Sequence, residues 1–499
     1  MRDSTGPAKT RRQLVLLREL GGFGLSSRWL ARLGDGDEQA RVLSPAPASL
    51  LQGALRLRTS DVPSPLLTRV RRLFAALVLL GAAGAAPAAA APWKLEPIEG
   101  SEGVVELQDL AFDAQGRALL SWNGALRTHV PPLFGGLATR DATGGWHRPP
   151  GLDGIQPASA QIHVGAARTL LVAREGPTTA NLRRLVFADG RSDGGFAALT
   201  PLDDFVAAHW SDANAAGDAI VAWRSERAPF LRVAERVAGQ PFDAARDLAV
   251  GRSAAVAIND RGDRVLAWRA GPRLAARVRP AGGDWGDTVR FGRIASFQHL
   301  RLTALMVRNG RVVLTWGSAG HPCGVSVRDG AGRWRTRTLE RRCGPAGADS
   351  RGAPVLAVAD GRGATYVAWP GRTRTGRRAV KFARIGARPS SRALVLSHEP
   401  GAVLDDVAAG PRRALALTYA APRPTRRNPL IVSTFAALRR GGGAFTHARL
   451  TPRGVAARRG SRVAFHPLTG EPVVALPFLI GFNVAVSAAT GPAAPIATP

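Results

Sequence analysis

Between residues 93 and 490 the chain alternates short apolar, β-prone runs with turns rich in glycine, proline, asparagine and aspartate. The clearest unit spans residues 252–293. Ser253 to Asn259 reads as a strand, and Asn259-Asp260-Arg261-Gly262-Asp263 as a tight turn in which Gly262 takes positive φ. Arg264 to Trp268 reads as a second strand, Leu274 to Arg279 as a third and Trp285 to Phe291 as a fourth, with Gly- and Pro-containing turns between them. The second strand is apolar at nearly every position. A half-buried strand would alternate, so this run predicts burial on both faces.

The unit recurs. A glycine and a tryptophan six residues apart bracket an apolar run at Gly116 and Trp122, Gly217 and Trp223, Gly262 and Trp268, Gly310 and Trp316, and Gly363 and Trp369. Three further copies, anchored at Ala167, Arg413 and Gly470, keep the run, but the first two lack both the glycine and the tryptophan and the third lacks the tryptophan. The period of 45 to 57 residues and the four strands per copy predict an all-β fold, a β-propeller of about eight blades with seven as the alternative count. The five bracketing tryptophans are expected to pack between blades. Trp146, Trp285 and Trp334 read as the starts of fourth strands. The eighth copy runs out after its third strand, near Ala485 to Ala489, and Trp93 opens a segment resembling a fourth strand. The N-terminal strand is therefore expected to close the last blade and leave the ring without a free sheet edge.

The copies resemble repeats of secreted bacterial β-propellers of the sialidase-like or BNR-like kind, on the pattern of apolar strand, N-x-x-G-D, apolar strand, Trp. The resemblance covers about residues 93–490. It implies a scaffold and no functional residue. The Ser-x-Asp-x-Gly-x-x-Trp box of BNR repeats is absent, and the two tyrosines, Tyr366 and Tyr419, fall in buried second-strand positions instead of serving as a nucleophile.

Upstream, Arg69, Arg71 and Arg72 precede an apolar segment from Leu73 to about Ala86, followed by A-x-A cleavage sites. Residues 69–90 therefore read as a secretory signal peptide, with a signal anchor as the alternative. Residues 1–68 read as a disordered extension or an upstream start, and residues 91–499 as the propeller. Secretion or another extracytoplasmic location follows, with membrane attachment if the segment is not cleaved.

Composition modifies this picture in two ways. The formal net charge is +31, but nearly all of it is arginine and it is spread through every repeat. A nucleic-acid partner would call for a focused basic face, so the charge favours looser attachment to an anionic envelope polymer. Cys323 and Cys343 fall roughly opposite each other across a predicted hairpin and are expected to form a disulfide, with two free thiols as the alternative.

Candidate chemistry is sparse. There is no HExxH, GxSxG, P-loop or zinc-type Cys/His spacing, so no metal or cofactor is expected. Arg261-Gly262-Asp263 spells an adhesion tripeptide but occupies the repeat turn. Asp109, His209, Asp405 and Asp406 fall in first strands, which line a propeller's channel, and could supply acid–base groups at its mouth; the pair Asp203-Asp204 belongs with them. The leading expectation is a monomeric, non-enzymatic binding or scaffold protein for a glycan, peptide or protein. The alternatives are a glycan-active hydrolase or lyase using channel carboxylates, and a basic surface protein of the cell envelope.

Overall fold

A computed structural model of the protein describes residues 93–490 apart from 99–103, 126–132, 141–144, 148–156, 166–167, 176–182, 192–194, 252, 295–299, 319, 344–354, 387–392, 398, 400, 423–431, 452–455, 458–459 and 481–482. The described residues belong to one compact unit, Ala89–Pro499. The predicted extension and the whole of the predicted signal segment lie outside the described residues. Among the described residues no helix is long and apolar enough to cross a membrane.

This unit is a β-propeller. Six blades are separate four-stranded antiparallel sheets, and a nine-stranded sheet holds the remainder. That sheet contains two four-stranded meanders, Val403–Ala409 through Phe445–Arg449 and Arg462–Phe465 through Asn483–Thr490 plus the N-terminal Lys94–Pro97. The two-residue strand Ala456–Ala457 joins them. The eight repeat anchors thus correspond to eight meanders, blades 1 to 8. Lys94 pairs with Thr490 and Pro97 with Ser487, so the N-terminal strand completes the last blade as the truncated eighth repeat requires.

Inner strands follow the repeat closely. In blade 4 the first three strands are Ala254–Ile258, Arg264–Ala270 and Arg273–Arg279, while the fourth, Val289–Arg293, begins four residues after Trp285. Trp285 instead packs at the edge of the cluster between blades 3 and 4. Trp146 and Trp334 do open their fourth strands. The first strands of successive blades touch in a closed circle, with Arg462–Phe465 of blade 8 against Val104–Phe112 of blade 1.

Packing explains the sequence pattern. Eight apolar clusters are described, and each draws on two neighbouring blades. Each contains one residue six positions after a repeat anchor: Trp122, Ala173, Trp223, Trp268, Trp316, Trp369, Tyr419 and Leu476. All five tryptophans are buried, Trp223 completely. Truncating a buried aromatic of this size costs on the order of 3–5 kcal/mol, so these positions fix the ring energetically. Cys323 and Cys343 are bonded within blade 5, with their Cα atoms 5.8 Å apart.

Candidate functional site

In each blade the first and second strands meet at one face of the ring. The second-to-third connections and the links to the next blade meet at the other. Two polar regions arise from this arrangement: the channel wall built by first strands, and a cavity on the second face.

The sequence candidates Asp109, His209, Asp405 and Asp406 all lie on first strands, at Val104–Phe112, Val206–Ala213 and Val403–Ala409. Asp203 and Asp204 do not join them. Asp203 ends the fourth strand of blade 2, where it accepts Trp223 Nε1 at 2.5 Å and Arg232 Nη1 at 2.6 Å. An acidic pair read only by its position in the chain cannot reveal that it sits at the outer end of a blade.

Asp109, Gln161 and Asp406 occupy one register level, opposite Ser121, Val172 and Thr418. Each accepts a backbone N–H from the first strand of the next blade: Ile162 to Asp109 at 2.9 Å, Ser211 to Gln161 at 2.8 Å and Val463 to Asp406 at 2.9 Å. Asp212 does the same for Ile258 at 2.9 Å. Asp405 accepts the Ser461 hydroxyl of blade 8 at 2.8 Å. These side chains are stitches between blades, because an N–H facing the channel would otherwise lack an acceptor. At the same level blade 8 places Arg462, opposite Ala475, between Asp406 and Asp109. Burial raises both aspartates above the usual carboxylate range, and the Arg462 charge works against that rise. Burial also pushes Asp212 up to about 7, against the hydrogen bonds from Ile258 and Ala213.

Ser211, His163 and Asp212 form a contiguous group that no motif in the chain brings together. His163 Nε2 is 2.7 Å from Ser211 Oγ, and His163 Nδ1 is 3.8 Å from Asp212 Oδ1. Proton counting decides what this group can do. The Ser211 N–H points at Gln161 Oε1, which fixes that atom as oxygen, and the Ser211 hydroxyl also reaches it at 2.9 Å. The single hydroxyl proton therefore goes to Gln161, and Oγ accepts from His163 Nε2–H. A histidine donating to the hydroxyl cannot act as its base, so the arrangement is the reverse of an activated nucleophile. Burial, reinforced by Arg236, lowers His163 to about 4. Burial, then Arg174 and His163, lowers His209 to about 3. Among the described residues no group of His, Cys, Asp and Glu is arranged to hold a metal.

The cavity, of about 900 Å³, lies over blades 2 to 4. Its wall comes from five separated segments: Arg183 before the third strand of blade 2, Ala207, residues 224–229, Val250-Gly251, and Arg269 with Gly271. Four arginines face one acid, Glu226, which lies 3.4 Å from Arg183. The Nε of Arg224 is inaccessible to solvent and has no hydrogen-bond partner among the described residues. Below the wall, Arg174 donates to the Ala207 carbonyl at 2.6 Å, and burial together with the Arg183 charge holds it below its ordinary value. The Arg227 guanidinium lies 3.2 Å from the centroid of the Phe205 ring. Phe205 is in the left-handed region at φ 60°, a conformation costing a non-glycine residue about 1–3 kcal/mol. It is held by Glu226 N–H donating to its carbonyl at 2.6 Å. The segment is strained, and the strain aims a ring at the cavity's edge.

No protein-family model matches the chain, and no curated protein matches it in sequence. Solved structures share its fold at low identity. An ulvan lyase, a polysaccharide lyase, is 10% identical with a TM-score of 0.44, covering 79% of this chain and 95% of its own. The propeller domain of the Trilobed protease from Pyrococcus furiosus is 6% identical with a TM-score of 0.41, covering 66% and 92%. A sialidase from Trypanosoma rangeli is 10% identical with a TM-score of 0.35, covering 79% and 59%. The class that the chain's own ring of four-stranded blades defines is the β-propeller.

Proposed function

We infer that this propeller is a non-enzymatic binding protein whose ligand seats in the cavity over blades 2 to 4. The observation that carries the reading is the cavity itself. At about 900 Å³ it lies at the upper end of small-molecule and cofactor sites, and its wall combines the connection at residues 226–229 with strand ends at Ala207, Arg224, Val250 and Arg269. The channel groups support the same reading by what they already do. Asp109, Asp212 and Asp406 each commit an oxygen to a neighbouring blade, and Ser211 has a proton donor where a nucleophile needs a base.

Export belongs to the proposal. The signal segment at residues 69–90 delivers the propeller to an oxidising compartment, and the Cys323–Cys343 disulfide suits that destination. Binding should be screened with the purified protein against glycans, peptides and envelope polymers, alongside an Ala228→Trp variant that fills the cavity. Retained ligand with no shortened products, and loss of that ligand in the variant, is the expected outcome. Time-dependent cleavage that Asp109→Asn or Asp406→Asn abolishes would instead establish the hydrolase or lyase reading.

A further inference from the structure

We propose that the cavity's ligand is an acidic polysaccharide, gripped at its anionic groups by Arg183, Arg224, Arg227 and Arg269. This rests on the cavity being a binding site and adds the chemistry of what it binds.

Three observations carry it. The first is charge. Four guanidinium groups line the wall, with Glu226 the one acid among the described lining residues, and Arg174 adds a fifth cation beneath Ala207. Like charges gathered in a partly desolvated recess repel one another, and an anion entering the recess relieves that repulsion. The second is unused hydrogen-bonding capacity. The Nε atoms of Arg224 and Arg174 are shielded from water and unpartnered among the described residues. A guanidinium fork meets carboxylate, sulfate or phosphate with two parallel bonds, which water in a narrow recess cannot reproduce.

The third is what the wall lacks. No aromatic side chain is among its lining residues, and the nearby Phe205 ring is covered by Arg227. Stacking on the apolar face of a neutral sugar is therefore not on offer. At Arg224 no strand edge is open to a peptide either. Arg224 is laddered on both sides, to Ala208 and to Leu231, so a peptide backbone would find no free row of donors and acceptors there.

Polygalacturonate, dextran sulfate, neutral dextran and polyglutamate separate the possibilities. The purified protein should bind one or both of the first two and not dextran, with affinity falling as salt rises from about 0.05 to about 0.2 M. Carboxylate and sulfate recognition are told apart by which of the two binds. Arg183 and Arg227 are exposed enough to change without disturbing the fold. Arg183→Gln and Arg227→Gln should each weaken binding about tenfold, and Arg227→Lys should recover only part of the loss. Arg335→Gln, on the exposed outer strand of blade 5, should change nothing.

Equal losses from Arg335→Gln would mean diffuse surface charge and overturn the proposal, as would preference for polyglutamate. Should dextran bind without salt dependence and be lost only in Ala228→Trp, the cavity reading stands and the acidic ligand is wrong. If Ala228→Trp leaves polyanion binding intact, the cavity reading fails as well.

Discussion

At Asn259 a single side chain shows why the repeat reads as N-x-x-G-D. Its Oδ1 accepts the N–H groups of Arg261 and Asp263, and its Nδ2 donates to Asp263 Oδ2 and to the Val307 carbonyl of the next blade. Asn214 makes the same reach to the Asn259 carbonyl. Where aspartate holds this position, as at Asp113 and Asp360, the turn is still capped but no donor remains for the neighbour. Asp263 is in turn held by Arg261 and by the Ala281 N–H, so the Arg-Gly-Asp sequence is folded into its own turn and not displayed. Glycine has a second use in the third strands. A Cβ at Gly324 would lie 2.4 Å from the Trp316 ring and 2.5 Å from the Arg337 carbonyl. Gly324→Ala should therefore destabilise the protein by about 2–3 kcal/mol through overpacking. Gly283→Ala, where the nearest atom would be 3.6 Å away and φ is ordinary, should stay within about 0.5 kcal/mol of the parent. Denaturant midpoints of the two variants test the contrast, and equal effects would refute it.

Closure by the strand Lys94–Pro97 is the element on which the ring depends. It covers the outer edge of Asn483–Thr490 along its paired residues from Ser487 to Thr490. A chain beginning at Ile98 should expose that edge, lower the melting temperature and self-associate on size exclusion, since an unpaired edge recruits another strand. A monomeric protein of unchanged melting temperature would show the strand to be dispensable. This closure was legible in the sequence because a missing fourth strand at one end matched a surplus one at the other. The blades were legible for a related reason. A turn glycine and a bulky residue facing the next blade are fixed to each other by strand geometry, so their spacing survives divergence. The sites had no such constraint. Asp109 and Asp406 precede their anchors by seven residues, Gln161 by six and Arg462 by eight, so unequal turns conceal that all four share one level. Their first strands could be read, but the N–H groups they hold belong to the next blade. The cavity was invisible altogether, because its arginines come from separated strand ends and loops of three blades and resemble the arginines scattered everywhere else.

The whole ring converts channel burial into a dependence on pH, and the two kinds of group in it act in opposite directions. His163 and His209 are held neutral, at about 4 and about 3, whereas in the unfolded chain they titrate near their ordinary 6.5. As pH falls below about 6.5 the unfolded state takes up protons that the folded state refuses, so these histidines remove stability down to about pH 4. Asp212 does the reverse. Its folded value of about 7 lies above its ordinary 3.8, so the stability it contributes is full below about pH 4 and is lost as pH rises toward 7. About a third of the Asp212 side chain remains exposed, which makes it the weaker of the opposing influences. Asp109 and Asp406, which burial also raises, act in the same direction as Asp212, and the charges of Arg174 and Arg236 help lower the two histidines. The melting temperature of the parent should therefore fall between pH 6.5 and 4. In His163→Gln/His209→Gln the proton uptake by the unfolded state is gone while Asp212 remains, so the fall should shrink or change sign. Adding Asp212→Asn should reduce the opposing slope that is left, with Asp109 and Asp406 supplying the remainder. A double variant that loses stability on acidification as steeply as the parent would locate the acid sensitivity outside the channel, and with it the claim that inner-strand burial governs the ring's response.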